Sequence, residues 1–312
     1  MSVRDMAIDI AIIGGGLAGM SLLAHVRASG WRGDVIVIDD GAYPLEDRTW
    51  SWWSRGDLLL DDAATAQFPS ARCASDTWVK TGSLEPYAYR TITGAALSQT
   101  VSALASTGVR VTHVPGTAVA VSERDGAQAC IVETADGRVA VRAARIYDSV
   151  GVGSERGARS GVPRLDFTGW RVRSATAVKL STGYAFARIQ RHCEEIADAV
   201  VAGRPDPSPP ASRGLARILD RILIGIINAQ PNAAQTMLEA LVRRLDWGHL
   251  LAFLDEEASV RDYIRVCLRV PPTVFVRAGV GVMRRATKRG YQARYNSAAR
   301  TAGERVSGVV ES

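Results

Sequence analysis

The feature that most constrains the fold is a glycine turn, residues 14–19, which joins an apolar run to a helical pattern. The β-branched run at 8–13 predicts a buried strand, and the apolar spacing over 17–28 predicts a helix. Between them Gly14, Gly16 and Gly19 have the spacing G-x-G-x-x-G. In such a unit the first glycine permits the bend, the second lets a pyrophosphate reach the backbone, and the third lets helix and strand pack closely. The start of the helix then directs free N–H groups at the anion.

A second apolar run, DVIVIDD at 34–40, ends in two carboxylates. Asp39 or Asp40 falls about 20 residues after the last glycine of the turn, where such a unit places the acid that binds a ribose hydroxyl. The sequence therefore predicts a dinucleotide bound across a β-α-β unit. The motif alone leaves FAD and NAD as alternatives.

The apolar stretch near residue 10 also resembles the core of a secretory signal, but its flanks argue against that interpretation. Asp9 interrupts it, Arg4 is offset by Asp5, and no small-residue cleavage pattern follows. The four cysteines are far apart without a C-x-x-C pair, and there are four histidines, so neither a disulfide framework nor a zinc site is predicted. No apolar run is long enough to span a bilayer. We therefore expect a cytoplasmic protein without a metal site.

The remaining pattern up to residue 150 predicts an α/β domain. Segment 41–53 is predicted as irregular, DTWVKTG and YAYRTITG as short strands, and 95–108 as a helix closed by Gly108. VRVTHVPG predicts a third parallel strand. Turn signals at Asp125-Gly126 and Asp136-Gly137 divide the next stretch into a three-stranded meander that leads into RIYDSVG. This is the element order of FAD domains of the glutathione-reductase type.

Past residue 174 the pattern becomes helical. The stretch 182–203 predicts one helix that ends at Gly203, before the proline-rich linker RPDPSPPAS. The stretch 213–231 places an apolar stripe opposite three arginines, which indicates core packing or, alternatively, a basic helix in a membrane interface. The stripe consists of Leu215, Ile218, Leu219, Ile222, Leu223, Ile226 and Ile227.

The net charge of +6 is unevenly placed. From residue 284 onward, seven basic side chains face only Glu304 and Glu311. One interpretation is a solvated tail, and the other is attraction to an anionic membrane surface. Nucleic acid is not a predicted partner, because no recognisable binding module accompanies the charge.

Four stretches together resemble the bacterial lycopene β-cyclase family. They are DIAIIGGGLAGMSLLAHV (9–26), EDRTWSWW (46–53), PYAYRTITG (86–94) and VKLSTGYAFARIQRH (178–192). The resemblance implies an α/β fold with a glutathione-reductase-like Rossmann FAD domain and a C-terminal helical region. It also implies NAD(P)H as reductant of the FAD, lycopene as substrate, and peripheral attachment to the membrane that holds it. The implied reaction converts the ψ-ends of lycopene to β-ionone rings through a carbocation, without net redox.

The resemblance also implies roles for particular residues. The cofactor-binding residues, in chain order, are Gly14, Gly16, Gly19, Asp39, Arg48, Ser181, Thr182, Gly183 and Tyr184. The glycines cradle the FAD pyrophosphate, Asp39 binds the adenosine ribose, and Arg48 belongs to a hallmark next to the cofactor. The turn at 181–184 lies near the flavin ring, where backbone N–H groups hold negative charge. The alternative for Ser181 and Thr182 is an N-cap.

The chain departs from the family between 151 and 180. FTGWRVRS (167–174) runs almost directly into VKLSTGYAF, so most of the substrate sheet and its acidic motif are missing. Proton transfer needs a positioned acid, for which Glu46 and Asp47 are the candidates, beside Trp50 as the aromatic partner of a cation. The alternative role of Trp50 is packing or lining of the cofactor site. The acidic FLDEEAS (253–259) is interpreted as a solvated helix end.

These inferences divide the chain into five segments. We predict an FAD-binding Rossmann domain at 1–150, a truncated substrate-domain remnant at 151–174, a returning FAD-domain segment at 175–204, a helical region at 211–283 and a basic tail at 284–312. The missing acid leaves two alternatives to a cyclase. One is a non-catalytic FAD- or carotenoid-binding partner protein, and the other is an FAD-dependent hydroxylase. The oligomeric state is left open.

Overall fold

The computed structural model describes residues 7–106, 110–124, 127–150, 185–208 and 231–269, with five further helical residues between 218 and 226. The strands are β1 Ala7–Ile13, β2 Val35–Asp39, β3 Thr49–Ser54, β4 Ala66–Phe68, β5 Ser70–Ser75, β6 Trp78–Ser83, β7 Ala88–Thr93, β8 Val111–Pro115, β9 Thr117–Arg124, β10 Ala127–Thr134 and β11 Gly137–Asp148. The helices are α1 Leu17–Ala28, α2 Gly94–Ala105, α3 Phe186–Val201, α4 Pro231–Arg244, α5 Trp247–Leu254 and α6 Val260–Arg269.

A six-stranded sheet of order β8-β2-β1-β11-β10-β9 forms the centre of the first unit. Strands β8, β2, β1 and β11 are parallel, and β10 and β9 continue the sheet antiparallel. The β-branched residues of β1 and β2 are buried on both faces. Alternate residues of β1 join two different cores, Ile10 and Ile12 with the helices and Ile13 with the meander. The predicted α/β fold of glutathione-reductase type is confirmed.

A single strand takes the place of two predicted strands. The sequence predicts a meander that leads into a separate returning strand, whereas β11 is a single strand of 12 residues. Its first part pairs antiparallel with β10, and its last part, from Arg142 to Asp148, pairs parallel with β1. The carboxyl end of β11 therefore lies beside the carboxyl end of β1, where the glycine turn begins.

A second, three-stranded sheet of order β3-β7-β4 packs one face against the helical side of the first core. The prediction of an irregular segment at 41–53 is wrong for its last part, because Thr49–Ser54 is the edge strand β3. Trp50 lies opposite the buried Ile92 of β7, and Trp52, which is 1% exposed, lies opposite Arg90. Strands β5 and β6 form a separate hairpin.

The predicted helices are found with shifted ends. Thr93 caps α2, because its side chain accepts a hydrogen bond from Ala96 N, so the helix begins at Gly94 and ends at Ala105, before the predicted stop at 108. Helix α3 ends just before Gly203, which has φ +63° as the stop signal predicts. Its described start is Phe186, not residue 182.

The described residues divide into two compact units, one up to residue 208 and one from residue 218. The second unit is helical and packs around Met237, Leu241 and Leu245. From the predicted apolar stripe, Leu219 and Ile226 are buried in this unit, as core packing requires, whereas Ile218 is 53% exposed. None of the described helices has the length and apolar character that crossing a membrane requires.

The FLDEEAS segment lies at the end of α5, as predicted. The helix ends at Leu254, and Asp255 is its C-cap. Glu257 is exposed, while Asp255 and Glu256 are half-buried, so the prediction of a solvated helix end holds for one of the three carboxylates.

Candidate cofactor site and the tryptophan strand

The first glycine of the turn has a backbone conformation and surroundings that admit no side chain. Gly14 has φ +100°, and its N–H donates to the carbonyl of Ile38 at 2.8 Å. A Cβ at this position would lie 2.4 Å from Ser149 Oγ. The bend from β1 into the turn is therefore fixed by the neighbouring strands β2 and β11 together.

Gly19 and Gly16 have opposite surroundings, one crowded and one open. A Cβ on Gly19 would lie 1.9 Å from the carbonyl oxygen of Gly14, so the close approach of helix and turn depends on this glycine. A Cβ on Gly16 would meet nothing within 4 Å. Gly16 is the N-cap of α1, which has no side-chain cap and no acidic residue in its first turn. Among the described residues no side chain caps the start of α1, and the space beside Gly16 is open, which fits an anionic group.

Asp39 is the acidic residue at the turn. Its Oδ2 accepts a hydrogen bond from Gly15 N at 2.6 Å and its Oδ1 accepts one from Gly41 N at 2.8 Å. Asp40 is exposed and instead accepts from Ala42 N and, at 3.3 Å, from the hydroxyl of Thr117. Of the two acids that the spacing left open, Asp39 is the one in contact with the glycine turn.

The sequence analysis missed a supporting residue on the returning strand. Ser149 follows β11, and both its N–H and its hydroxyl donate to the carbonyl of Ile13, at 3.0 and 2.7 Å. These two bonds hold the end of β11 against the glycine turn. The available signal was the position of the serine directly after a predicted parallel strand, where the carboxyl ends of neighbouring strands meet.

The loop before β3 is fixed to the start of α2. Arg48 donates its N–H to the carbonyl of Leu45, accepts a bond from Gly94 N at 2.7 Å, and lies with its guanidinium 5.4 Å from the ring centre of Tyr43. A Cβ on Gly94 would lie 1.6 Å from the Leu45 carbonyl oxygen. Trp50, two residues further, is half-buried at the margin of the first core.

The two predicted acids lie in the same loop and point to solvent. Glu46 and Asp47 are both exposed. Among the described residues the carboxylate that is buried is Asp61, which no sequence signal singled out. It lies beneath the strand β3, which we call the tryptophan strand because it carries Trp50, Trp52 and Trp53.

Asp61 is surrounded by donors. Its Oδ1 accepts hydrogen bonds from Trp52 Nε1 at 2.7 Å and from Ser54 Oγ at 2.6 Å, and its Oδ2 accepts one from Leu58 N at 3.0 Å. Arg90 Nε lies 3.8 Å from the carboxylate, and Arg90 Nη1 donates to the hydroxyl and the carbonyl of Ser54 at 2.8 and 2.9 Å. The result is a buried polar network that joins β3, β7 and the turn at 58–61.

The second predicted turn, Ser181 to Tyr184, lies outside the described residues. The described part of α3 begins after Ala185, which offers no side-chain hydrogen bond. The interpretation of Ser181 or Thr182 as an N-cap falls outside the described residues with the rest of this turn. The helix packs on α1 through Gln190, which bonds His25 Nε2 at 2.9 Å and Ser21 Oγ at 2.6 Å.

Burial changes the ionisation of several groups in this unit. It lowers the pKa of His25, although a hydrogen bond with Gln190 opposes the shift. Burial raises the pKa of the Cys130 thiol to about 11 and that of Cys193 to about 12. Both thiols are therefore protonated at neutral pH and are packing groups rather than nucleophiles.

The fold and the glycine turn define an α/β protein of the glutathione-reductase type. The family model for lycopene cyclase proteins matches residues 9–178, which is more than half of the 312 residues. The chain therefore belongs to the lycopene cyclase family. No curated protein matches it significantly in sequence.

Solved structures with partial similarity include three proteins. They are an anhydrotetracycline hydroxylase from Streptomyces rimosus (18% identity, 47% of this chain and 32% of that one, TM-score 0.36), a flavoprotein/dehydrogenase from Cytophaga hutchinsonii (19%, 47% and 40%, 0.39) and a geranylgeranyl bacteriochlorophyll reductase-like protein from Thermoplasma acidophilum (17%, 46% and 39%, 0.36). The chain thus spans well under half the length of these structures.

Proposed function

We propose that the chain binds FAD along the glycine turn and acts as a lycopene β-cyclase, which converts the open ψ-ends of lycopene to β-ionone rings. The observation that carries the proposal is the open space beside Gly16, at an uncapped helix start and next to the N–H that binds Asp39. Membership of the lycopene cyclase family supports a carotenoid substrate. NAD(P)H is the proposed reductant of the FAD.

Within this proposal the residues at the turn have separate tasks. The free N–H groups of the first turn of α1 hold the pyrophosphate, while Gly14 and Gly19 keep strand and helix close enough to form the turn. Asp39 binds a ribose hydroxyl, because an ionised carboxylate that accepts two N–H groups still has lone pairs available. When bound and reduced, the flavin supplies a fixed negative charge near the reacting end of the substrate. Arg48 and the turn at 181–184 are the proposed contacts of the ring end.

Cyclisation requires proton delivery and protection of a cation from the chain's own residues. A proton has to reach an isolated alkene, and the resulting cation has to be kept from water until the ring closes and a proton leaves. Trp50 is the proposed aromatic partner of the cation, because the negative face of an indole attracts positive charge. Glu46 and Asp47 are the proposed acids, since they adjoin the tryptophan strand.

The exposure of those two acids favours a second candidate function. Proton delivery to a hydrocarbon needs an acid that is shielded from water and aimed at the alkene. Neither Glu46 nor Asp47 is shielded by the described residues. The second candidate is a non-catalytic protein that binds FAD and a carotenoid.

We also propose a peripheral location on the cytoplasmic face of a membrane. A hydrocarbon substrate dissolves in the bilayer core, so the enzyme has to reach that surface. The basic segment from 284 onward, the predicted contact with anionic lipid, lies outside the described residues.

Two measurements test the proposal. Purified protein titrated with FAD should show bound flavin absorbance, and expression in lycopene-accumulating cells should turn them from red to yellow. Bound FAD with unchanged red cells, and lycopene that co-purifies, would support the non-catalytic candidate instead. Absence of flavin binding after FAD is added would overturn both. Steady consumption of NAD(P)H and oxygen by the protein with lycopene would indicate a hydroxylase.

A further inference from the structure

We propose that Asp61, with Arg90 behind it, is a positioning residue that acts through Trp52. It fixes the indole of Trp52, and the indole in turn fixes Phe186 and the first turns of α3 against the tryptophan strand. The step from this geometry to the cofactor rests on the proposed function, in which the turn just before α3 contacts the ring end of FAD. The positioning itself concerns described residues alone.

A single acceptor sets the orientation of the Trp52 indole. The Trp52 ring is 1% exposed, and its single polar atom, Nε1, donates to Asp61 at 2.7 Å. An indole N–H is a donor only, so one acceptor defines the rotation of the ring about its side-chain bonds. Ser54 and Leu58 N supply further donors to the same carboxylate, which keeps Asp61 itself from turning.

The oriented indole of Trp52 contacts the ring of Phe186. The two ring centres are 3.9 Å apart and the planes differ by 12°. Aromatic pairs left to themselves prefer offset or edge-to-face arrangements with centres about 4.5–7 Å apart. The two rings are closer than that range, and the bond from Nε1 to Asp61 fixes the indole side of this close stack. Phe186 is 3% exposed, so both rings of the stack are buried.

The carboxylate that orients Trp52 belongs to a buried ion pair between Asp61 and Arg90. A buried ion pair is a poor source of stability, because desolvation of both ions offsets their attraction. The side chains of Asp61 and Arg90 are 3% and 9% exposed. A neutral acceptor or an apolar pair would fill this space at least as well for stability alone. The network therefore serves a defined orientation rather than the free energy of unfolding.

The orientation of Trp52 fixes the position of the first turns of α3. Phe186 is the first residue of α3, and Gln190, one turn later, bonds His25 and Ser21 of α1. The first two turns of α3 are thus held to the tryptophan strand on one side and to the helix of the glycine turn on the other. Asp61 sets the first of these two contacts.

The experiment compares four variants by hydrogen exchange of the full-length chain. Trp52→Phe removes the N–H and keeps a ring on Phe186, and Asp61→Ala removes the acceptor. Each should raise exchange of the peptide 186–194 by at least about tenfold more than exchange of the peptide 7–28, which reports any general loss of stability. Asp61→Asn retains an acceptor for Nε1 and should restore most of the protection. Asp62→Asn, at the exposed neighbouring position, is the matched control and should behave as the natural chain.

Two outcomes would overturn the inference. One is unchanged exchange at 186–194 in Trp52→Phe and Asp61→Ala, and the other is an equal rise in every peptide, which marks general destabilisation. With FAD added, Trp52→Phe and Asp61→Ala should shift the absorbance maxima of bound flavin, whereas Asp62→Asn should not. If the natural chain binds no FAD, the proposed function fails, but the exchange result still decides the role of Asp61.

Discussion

The glycine turn and the tryptophan strand achieve fixed geometry by opposite means. At the turn, Gly14 and Gly19 remove side chains so that backbone atoms approach each other, and the polar groups left over are N–H groups. At the strand, large and charged side chains of Trp52, Asp61 and Arg90 fill the space and bind one another. Backbone contacts such as those at Gly14 and Gly19 therefore tolerate no added atom, whereas a network of side chains tolerates no lost partner.

The largest effect is expected from removing one partner of the strand's network. Arg90→Ala leaves Asp61 as a buried carboxylate without its cation, and breaking a buried pair in this way costs about 3–5 kcal/mol of unfolding free energy. Urea denaturation measures the change. Arg138→Ala, at the exposed pair with Glu133, is the control and should cost less than about 1 kcal/mol. Equal costs at the two sites would remove the contrast between buried and exposed pairs.

A smaller but clear loss is expected from adding one atom at the turn. Gly19→Ala places a Cβ 1.9 Å from the Gly14 carbonyl oxygen, so helix and turn have to separate. Overpacking of this kind costs about 1–3 kcal/mol, measurable as a lower urea midpoint. Unaltered stability would show that the turn yields, contrary to the rigid backbone site described above.

The contact of His25 in α1 with Gln190 in α3 is expected to make the unfolding free energy depend on pH. Burial lowers the pKa of His25 in the folded state below its ordinary value of 6.5, so the unfolded chain binds the proton more readily. Its neutral form therefore contributes stability above pH 6.5, and that contribution falls as the pH drops from 6.5 to the folded-state pKa. The slope from this one group is at most about 1.4 kcal/mol per pH unit.

His25→Gln, which keeps a hydrogen-bonding group opposite Gln190, should remove this part of the pH dependence. Chemical denaturation between pH 5 and pH 8, at about half-unit steps, measures it. An unchanged slope in the variant would assign the acid sensitivity to other groups.

The smallest change in stability, and the sharpest change in binding, is expected at Gly16. Its Cβ would meet nothing, and Asp is as good an N-cap as any residue, so Gly16→Asp should alter the unfolding free energy by only about a few tenths of a kcal/mol. The new carboxylate occupies the proposed pyrophosphate position. Like-charge contact costs several kcal/mol, so FAD should bind at least about 100-fold more weakly by absorbance titration. Undiminished binding of FAD would show that the pyrophosphate does not bind at the turn.

Prediction from the sequence succeeded where the local backbone requires a particular type of residue. The β-branched runs of β1 and β2, the glycine spacing and the Gly203 stop are local demands of the backbone, and each is found in the structure. Prediction failed at Thr49–Ser54, because the pairing with β7 that makes it a strand depends on residues about forty positions away. The support that Ser149 gives the turn spans 136 positions in the chain. The partners of Asp61 lie only three to nine positions away, but a local turn and not a recognisable motif brings them together.

The sequence by itself determined the α/β class, the glycine turn with an acid after the second strand, and the likeness to lycopene cyclases. These follow from backbone geometry and from short motifs, which are contiguous in the chain. Only the tertiary structure decided that Asp39 rather than Asp40 meets the turn, that Glu46 and Asp47 face water, and that Asp61 is the buried acid of the described part of the chain. Burial and hydrogen-bond partners are properties of the packed neighbours, and no contiguous motif specifies how those neighbours are brought together.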